Sequence, residues 1–271
     1  MNKTTRPIKR LGQNFLKDKA VARKIVDSMN ICRGDKVLEI GCGEGILTEY
    51  LIKSSAAGVY GVEIDTRLVQ LLKEKFGDTS KFVLIEGDIL GIDFSSMVSG
   101  GEKLRVVGNI PYNITSPILF HMLDWRSAIN DFTIMVQKEV AERLRSSPGV
   151  KTYGVPSILF QMYGQIKILF SVSRRSFYPA PCVDSVVVNY KFFKDSRYEL
   201  IDEDFFRLLV RNLFMHRRKM LKTTLRKFIG RGEPLEGLCV DLRLRPENLT
   251  VEQFASLSDQ LFKTMGRENH G

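Results

Sequence analysis

Apolar positions in the first half of the chain form short continuous runs, and amphipathic stretches of helical spacing separate them. Lys36–Ile40, Val59–Glu63, Lys81–Ile85, Leu104–Val107 and Phe132–Gln137 read as buried strands. Between them Ile46–Lys53, Arg67–Phe76, a segment opening at Ser116-Pro117, and Glu139–Leu144 read as helices. Asp18 is placed to cap an earlier helix running to about Met29, and Ser116 to cap the third with Pro117 at its first helical position. Strands that alternate with helices predict a mostly parallel sheet covered by helices on both faces.

The rhythm changes near the loop signal Pro148-Gly149. A helix around Ser157–Tyr163 is followed by two β-rich runs, Gln165–Val172 and Ser185–Phe193, joined by a stiff segment, Arg174 to Pro181, expected not to be helical. From Glu203 onward only helices are predicted, the last opened by a capping-box pattern of Thr250 and Gln253. The expected division is an α/β domain over 1–195, with a basic N-terminal arm, and a small all-α domain over 196–271.

Composition narrows the class. At 271 residues, 44% apolar and 27% charged, the chain is globular and large enough to need no disulfides. Its cysteines (Cys32, Cys42, Cys182, Cys239) form no C-x-x-C pair, and the three histidines are scattered, so no metal site is expected and a reducing compartment is. No apolar run approaches the ~18 residues of a membrane span. Met1–Arg10 is basic but lacks the apolar stretch of a secretory signal. The expectation is a cytoplasmic protein without membrane contact.

The net charge of +10 is unevenly spread. Residues 1–25 hold eight basic side chains against Asp18 alone, and residues 205–231 hold nine with no acid, so the remainder is net acidic. Such clustering marks a polyanion partner, usually nucleic acid. In the second cluster Phe206, Leu209, Leu213, Leu221 and Leu225 recur at helical spacing. Arg207, Arg211, Arg218, Lys222 and Arg226 would fall within about 100° of one another on a continuous helix.

Candidate chemistry begins at Val37–Gly45, a strand running into a glycine-rich turn and then a helix. Ile46 makes the turn G-x-G-x-G, which lacks the third glycine position of a dinucleotide fingerprint. Glu63 ends the second strand, where a carboxylate can accept both hydroxyls of a ribose, and Asp88 follows the third, where it can accept from an adenine amino group. Acids after strands also cap helices, but three features in register after three consecutive strands look like the S-adenosylmethionine site of Rossmann-like methyltransferases. The fourth strand ends in Asn109-Ile110-Pro111-Tyr112, which resembles the motif of methyltransferases acting on exocyclic amines. An adenine N6 lone pair is delocalised into the ring. The Asn109 side-chain carbonyl and the Ile110 backbone carbonyl could accept its two N–H bonds as charge develops, with Tyr112 stacking on the base.

Leu11–Leu16, the glycine loop, Asn109–Tyr112, Pro148–Gly154 and Phe177–Ser185 together resemble the ribosomal RNA adenine N6-dimethyltransferases. Leu213–Lys222 and Leu244–Phe254 resemble that family's small-subunit branch, with Ile110 and Met220 departing from the commoner leucine and threonine. The resemblance implies that Asn14 and Leu16 close over the cofactor. It further implies that Gly41 and Gly43 line its methionine moiety, Glu63 its ribose and Asp88 its adenine, and that Phe177 sandwiches the target adenine against Tyr112. Asn109 is expected beside cofactor and target alike. Arg211, Arg217, Arg218, Lys219 and Lys222 are the expected phosphate contacts. The implied substrate is two adjacent adenosines near the 3′ end of small-subunit rRNA in an assembling small subunit, met by a monomeric enzyme. Two alternatives stand beside it: a large-subunit resistance methyltransferase, and a non-catalytic RNA-binding assembly or transcription factor on the same fold.

Overall fold

The computed structural model describes residues 5–230 and 235–266, so Lys3 and Arg231 of the two basic clusters lie outside the described residues. In chain order the elements are β1 (Phe15–Leu16), α1 (Lys19–Ser28), β2 (Lys36–Ile40), α2 (Ile46–Lys53), β3 (Gly58–Glu63), α3 (Thr66–Phe76), β4 (Phe82–Glu86), β5 (Leu104–Asn109) and α4 (Thr115–Asp124). They continue with β6 (Ile129–Gln137), α5 (Lys138–Leu144), α6 (Val155–Tyr163), β7 (Gly164–Val172), β8 (Phe177–Tyr178), β9 (Ser185–Phe192), α7 (Glu203–Met215), α8 (Leu221–Ile229) and α9 (Val251–Gly266). Two compact units result, one of Met1–Ala141 with Lys167–Phe192, the other of Glu142–Ile166 with Phe193–Gly271. The chain therefore enters the second unit twice, where the sequence pattern suggests a single cut. Among the described residues no helix is long and apolar enough to cross a membrane.

The first unit is built on a sheet of strand order β4-β3-β2-β5-β6-β9-β7. The first five strands are parallel, and β9 runs antiparallel to β6. Alternate residues of a strand face opposite sides, and here both sides are covered. Val37, Val59, Val107 and Val187 pack with Ala22 and Ile25 of α1 and Leu47 and Leu51 of α2, while the intervening Leu38, Val106 and Ile134 are fully buried as well. This is the doubly covered parallel sheet that the strand–helix rhythm predicts. Asp18 caps α1, its carboxylate accepting from Ala20 N and Val21 N.

Two local expectations fail. α4 begins at Thr115 without a side-chain cap, so Ser116 lies inside the helix and exposed. A 3-10 turn at Tyr112–Ile114 runs straight into it and leaves no separate cap position. The segment before β8 does contain a single 3-10 turn, Arg174–Ser176, capped by Ser173.

In the second unit α7 buries Phe206, Leu209, Val210 and Leu213, and α8 buries Leu221, Thr224 and Leu225. Helix α7 stops at Met215 and α8 starts at Leu221, so the basic residues of this region do not share one continuous helical stripe. The loop Pro148–Gly154 is tied down within this unit: Gly149 N donates to Glu247 O at 2.7 Å and the buried Tyr153 hydroxyl to Leu249 O at 2.9 Å. The capping box of α9 forms as predicted, Thr250 N donating to Gln253 Oε1 and Gln253 N to Thr250 Oγ1.

Candidate active site

Strand β2 lies between β3 and β5, so the chain leaves it toward one side of the sheet and later returns on the other. The carboxyl ends at such a reversal open a crevice in which ligands bind in α/β sheets. Here a cavity of about 200 Å³ occupies that position, lined by the residues after β2, β3, β4 and β5 and by part of the N-terminal arm. The glycine loop forms one wall. Gly41 has φ +71°, and a Cβ placed on it would meet no atom within 4 Å, so the backbone is bare on that side. Gly45, at φ +85°, begins α2 where a Cβ would lie 2.6 Å from the Phe76 ring.

Glu63 is 4% exposed at the end of β3. Its Oε2 accepts from Gly43 N at 2.8 Å and its Oε1 from Ile64 N and Asp65 N at 3.0 Å each. Burial raises its pKa, against the lowering effect of those N–H donors. A carboxylate has about four acceptor positions. Three of these are taken by backbone N–H groups, and the carboxyl also lines the cavity. Asp88 is exposed and uses Oδ1 to cap the turn at Ile89–Gly91, accepting from Leu90 N at 3.0 Å. It nevertheless lines the cavity. The open space over Gly41 and the buried carboxylate between Gly43 and α3 suit a small polar ligand carrying a ribose.

Asn109 ends β5 and donates from Nδ2 to Asn14 O at 2.9 Å, which leaves its side-chain carbonyl as the acceptor. Asn14, Leu16, Gly41, Gly43, Glu63, Asp88, Asn109 and Tyr112 all line the one cavity. Tyr112 is half-buried, its hydroxyl bonded to that of the fully buried Ser185, and burial raises its pKa. Phe177 is the residue that does not join them. It is 5% exposed and packs with Leu16 and Val172 in the core, because the pairing of Leu16 with Phe177 turns both side chains inward. In this conformation it offers no open ring face to a base.

Of the expected phosphate contacts, Arg211, Arg218, Lys219 and Lys222 are exposed. Arg217 is not available in the same way: its Nε meets Glu247 Oε2 at 2.5 Å and its guanidinium reaches Val150 O at 3.5 Å. Arg207 lies over the Tyr163 ring at 5.9 Å from the centroid.

The ribosomal RNA adenine dimethylase family model matches residues 5–263. The chain belongs to that family. Ribosomal RNA small subunit methyltransferase A of Pseudomonas aeruginosa is 43% identical over 258 residues, covering 95% of this chain and 96% of its own. The protein of that name from Streptococcus thermophilus is 39% identical, covering 93% and 91%. Among solved structures, a dimethyladenosine transferase from Plasmodium falciparum superposes with TM-score 0.77 at 28% identity, over 93% of this chain and 98% of that one. The 23S rRNA methyltransferase ErmE superposes with TM-score 0.68 at 26% identity, over 92% and 99%.

In this dimethylase family member the sequence pattern gives no sign of how the arm is fastened across the cavity. Gln13 Nε2 donates to Asp65 Oδ2 at 2.9 Å, while its Oε1 accepts from Ile8 N at 2.7 Å. Glu44 accepts from Thr5 N and from Lys17 Nζ. Arg67 holds Asp65 through Nε and Nη2 and pulls its pKa down to about 2, so this anchor stays charged through the physiological range. Gln13 lies inside a recognised motif, but nothing local in sequence pairs it with Asp65.

Proposed function

We propose that the protein dimethylates N6 of two adjacent adenosines near the 3′ end of small-subunit rRNA, in an assembling small subunit, as a cytoplasmic monomer using S-adenosylmethionine. The observation that carries this reading is one cavity shared by the glycine loop and Glu63 on one side and by Asn109 and Tyr112 on the other. Bound S-adenosylmethionine supplies a methyl group on a sulfonium, which is electrophilic without activation by the protein. Gly41 and Gly43 would line its methionine portion, Asn14 and Leu16 would close over it, Glu63 would hold its ribose and Asp88 its adenine.

The protein's task is to make a poor nucleophile better and to align it. The Asn109 carbonyl accepts an N6–H bond that strengthens as the nitrogen loses its conjugation, a contact stronger in the transition state than in the ground state. Its Nδ2 bond to Asn14 O supports this role, since it fixes which end of the amide accepts. Tyr112 stacks on the flipped base, and its hydroxyl bond to Ser185 holds the ring's direction. In the second unit Arg211, Arg218, Lys219 and Lys222 contact phosphates, whereas Arg217 chiefly braces Glu247.

The small-subunit substrate is favoured by the relatives at about two-fifths identity, and the large-subunit reading by the weaker likeness to ErmE. Mass mapping of nucleosides after reaction with purified small and large subunits decides between them. Dimethyladenosine in small-subunit rRNA alone is the expected result, and methylation confined to the large subunit would overturn it. Calorimetric titration with S-adenosylmethionine tests the non-catalytic alternative, which requires no binding.

A further inference from the structure

Two aromatic residues stand side by side in β8 and face opposite ways. Successive side chains of a strand alternate in direction, and residues directly opposite across an antiparallel pair share a face. In the β1–β8 ribbon Leu16 is opposite Phe177, and Phe15 is opposite Tyr178. The first pair enters the core with α1 and α2. In the second pair Phe15 lines the cavity, its ring 3.5 Å from where a Cβ on Gly43 would lie. Leu16 lines the cavity as well, so the ribbon stands at its wall, and Tyr178, opposite Phe15, presents a ring that is 54% exposed beside it.

Its surroundings are basic. The turn leading into β8 carries Arg174 and Arg175, both exposed; Lys17 is joined to it by its backbone N–H to Ser176 O at 2.8 Å, with its own charge paired to Glu44. The acids nearby are occupied locally: Asp184 accepts from Arg174 N, and Asp18 caps α1 and bonds Ser176 Oγ. An exposed ring on a strand entered from a turn with two exposed arginines can serve as a stacking platform with phosphate contacts near it.

We propose that Tyr178, with Arg174 and Arg175, forms a subsite at the cavity rim for the nucleotide adjacent to the one being methylated. The proposal rests on the reading of the substrate as adjacent adenosines. Stacking is tolerant of base identity because every base has a π-face. Methyl groups on N6 remove N–H donors but leave that face intact. The platform thus accepts the neighbouring adenosine before or after its own dimethylation, which lets one active site treat both in turn.

The test compares Tyr178→Ala, Tyr178→Leu and Tyr178→Phe on small subunits carrying unmethylated rRNA, with the wild type alongside. Loss of the ring in Ala and Leu should raise the KM for subunits about five- to hundredfold and shift the product toward one dimethylated adenosine. Phe should retain wild-type behaviour. Affinity for S-adenosylmethionine and melting temperature should be unchanged in all three. Wild-type KM and product pattern in Tyr178→Ala would overturn the proposal. So would a Phe variant as impaired as Ala, or a KM change that merely tracks lost cofactor affinity and stability. A wild type inactive on small subunits would instead defeat the functional reading beneath it.

Discussion

At Glu63, three backbone N–H groups and deep burial meet in one carboxylate. Glu63→Ala should weaken S-adenosylmethionine binding by about 1–3 kcal/mol, because a buried ligand hydroxyl loses its acceptor. Calorimetry on a variant of native circular dichroism checks this, and unchanged affinity would remove Glu63 from the site. Asn109 acts differently. Its carbonyl matters most as charge builds on N6, so Asn109→Ala should lower the single-turnover rate far more than subunit affinity. Because the side chain also holds Asn14 O, some loss of cofactor affinity should accompany it. A near-normal single-turnover rate would exclude the role. Asn109 is legible in sequence because it closes a strand before a proline turn, and Glu63 because it closes the second strand, 22 residues after Gly41. Phe177 is singled out by the same kind of signal, but a motif gives a residue's place and not the direction of its side chain, which here points into the core.

At the scale of elements, the α7–α8 region shows what periodicity can and cannot give. The apolar positions expected to be buried are buried, Phe206, Leu209, Leu213, Leu221 and Leu225 all at 0% exposure. The break between Met215 and Leu221 is invisible in sequence because basic and apolar residues continue through it without a proline or glycine. Phosphate contacts set affinity and orientation without choosing a base. Replacing Arg218 and Lys222 together should therefore weaken subunit binding at low salt and leave cofactor binding unchanged. The slope of log affinity against log salt should flatten by roughly 0.7–0.9 for each phosphate that the variant no longer neutralises. Binding titrations across a salt series measure it, and an unchanged slope would put the RNA surface elsewhere, foremost on the basic N-terminal arm.

For the whole molecule, the buried carboxyl of Glu39 next to the glycine loop sets a pH dependence of stability. Glu39 is 1% exposed in β2, accepts from Thr48 Oγ1 at 2.6 Å, and is pushed by burial to a pKa of about 8. In the unfolded chain it titrates near 4.5. Between those values the native state holds a proton that the unfolded state has released, so this group's contribution to stability falls as pH rises from about 4.5 to about 8. Glu39→Gln keeps the shape and removes the titration. Its melting temperature relative to the wild type should be higher at pH 8 than at pH 5. Thermal unfolding at the two pH values decides, and an equal difference at both would show that Glu39 is ionised in the native state throughout.

The sequence alone determined the order of the strands and helices of the main sheet, its double covering, the caps at Asp18 and Thr250, and the cluster of residues after β2, β3, β4 and β5, but not the short β1–β8 ribbon. Those features depend on side-chain period, backbone freedom at glycine, and hydrogen bonds between residues a few positions apart. Only tertiary structure decided which way Phe177 and Tyr178 face, that Arg217 is engaged by Glu247 thirty residues away, and that Gln13 is fastened to Asp65 across fifty-two. These outcomes turn on strand register and on pairings between distant segments. Nothing in the local pattern around either partner fixes such a pairing until the chain has folded and brought them together.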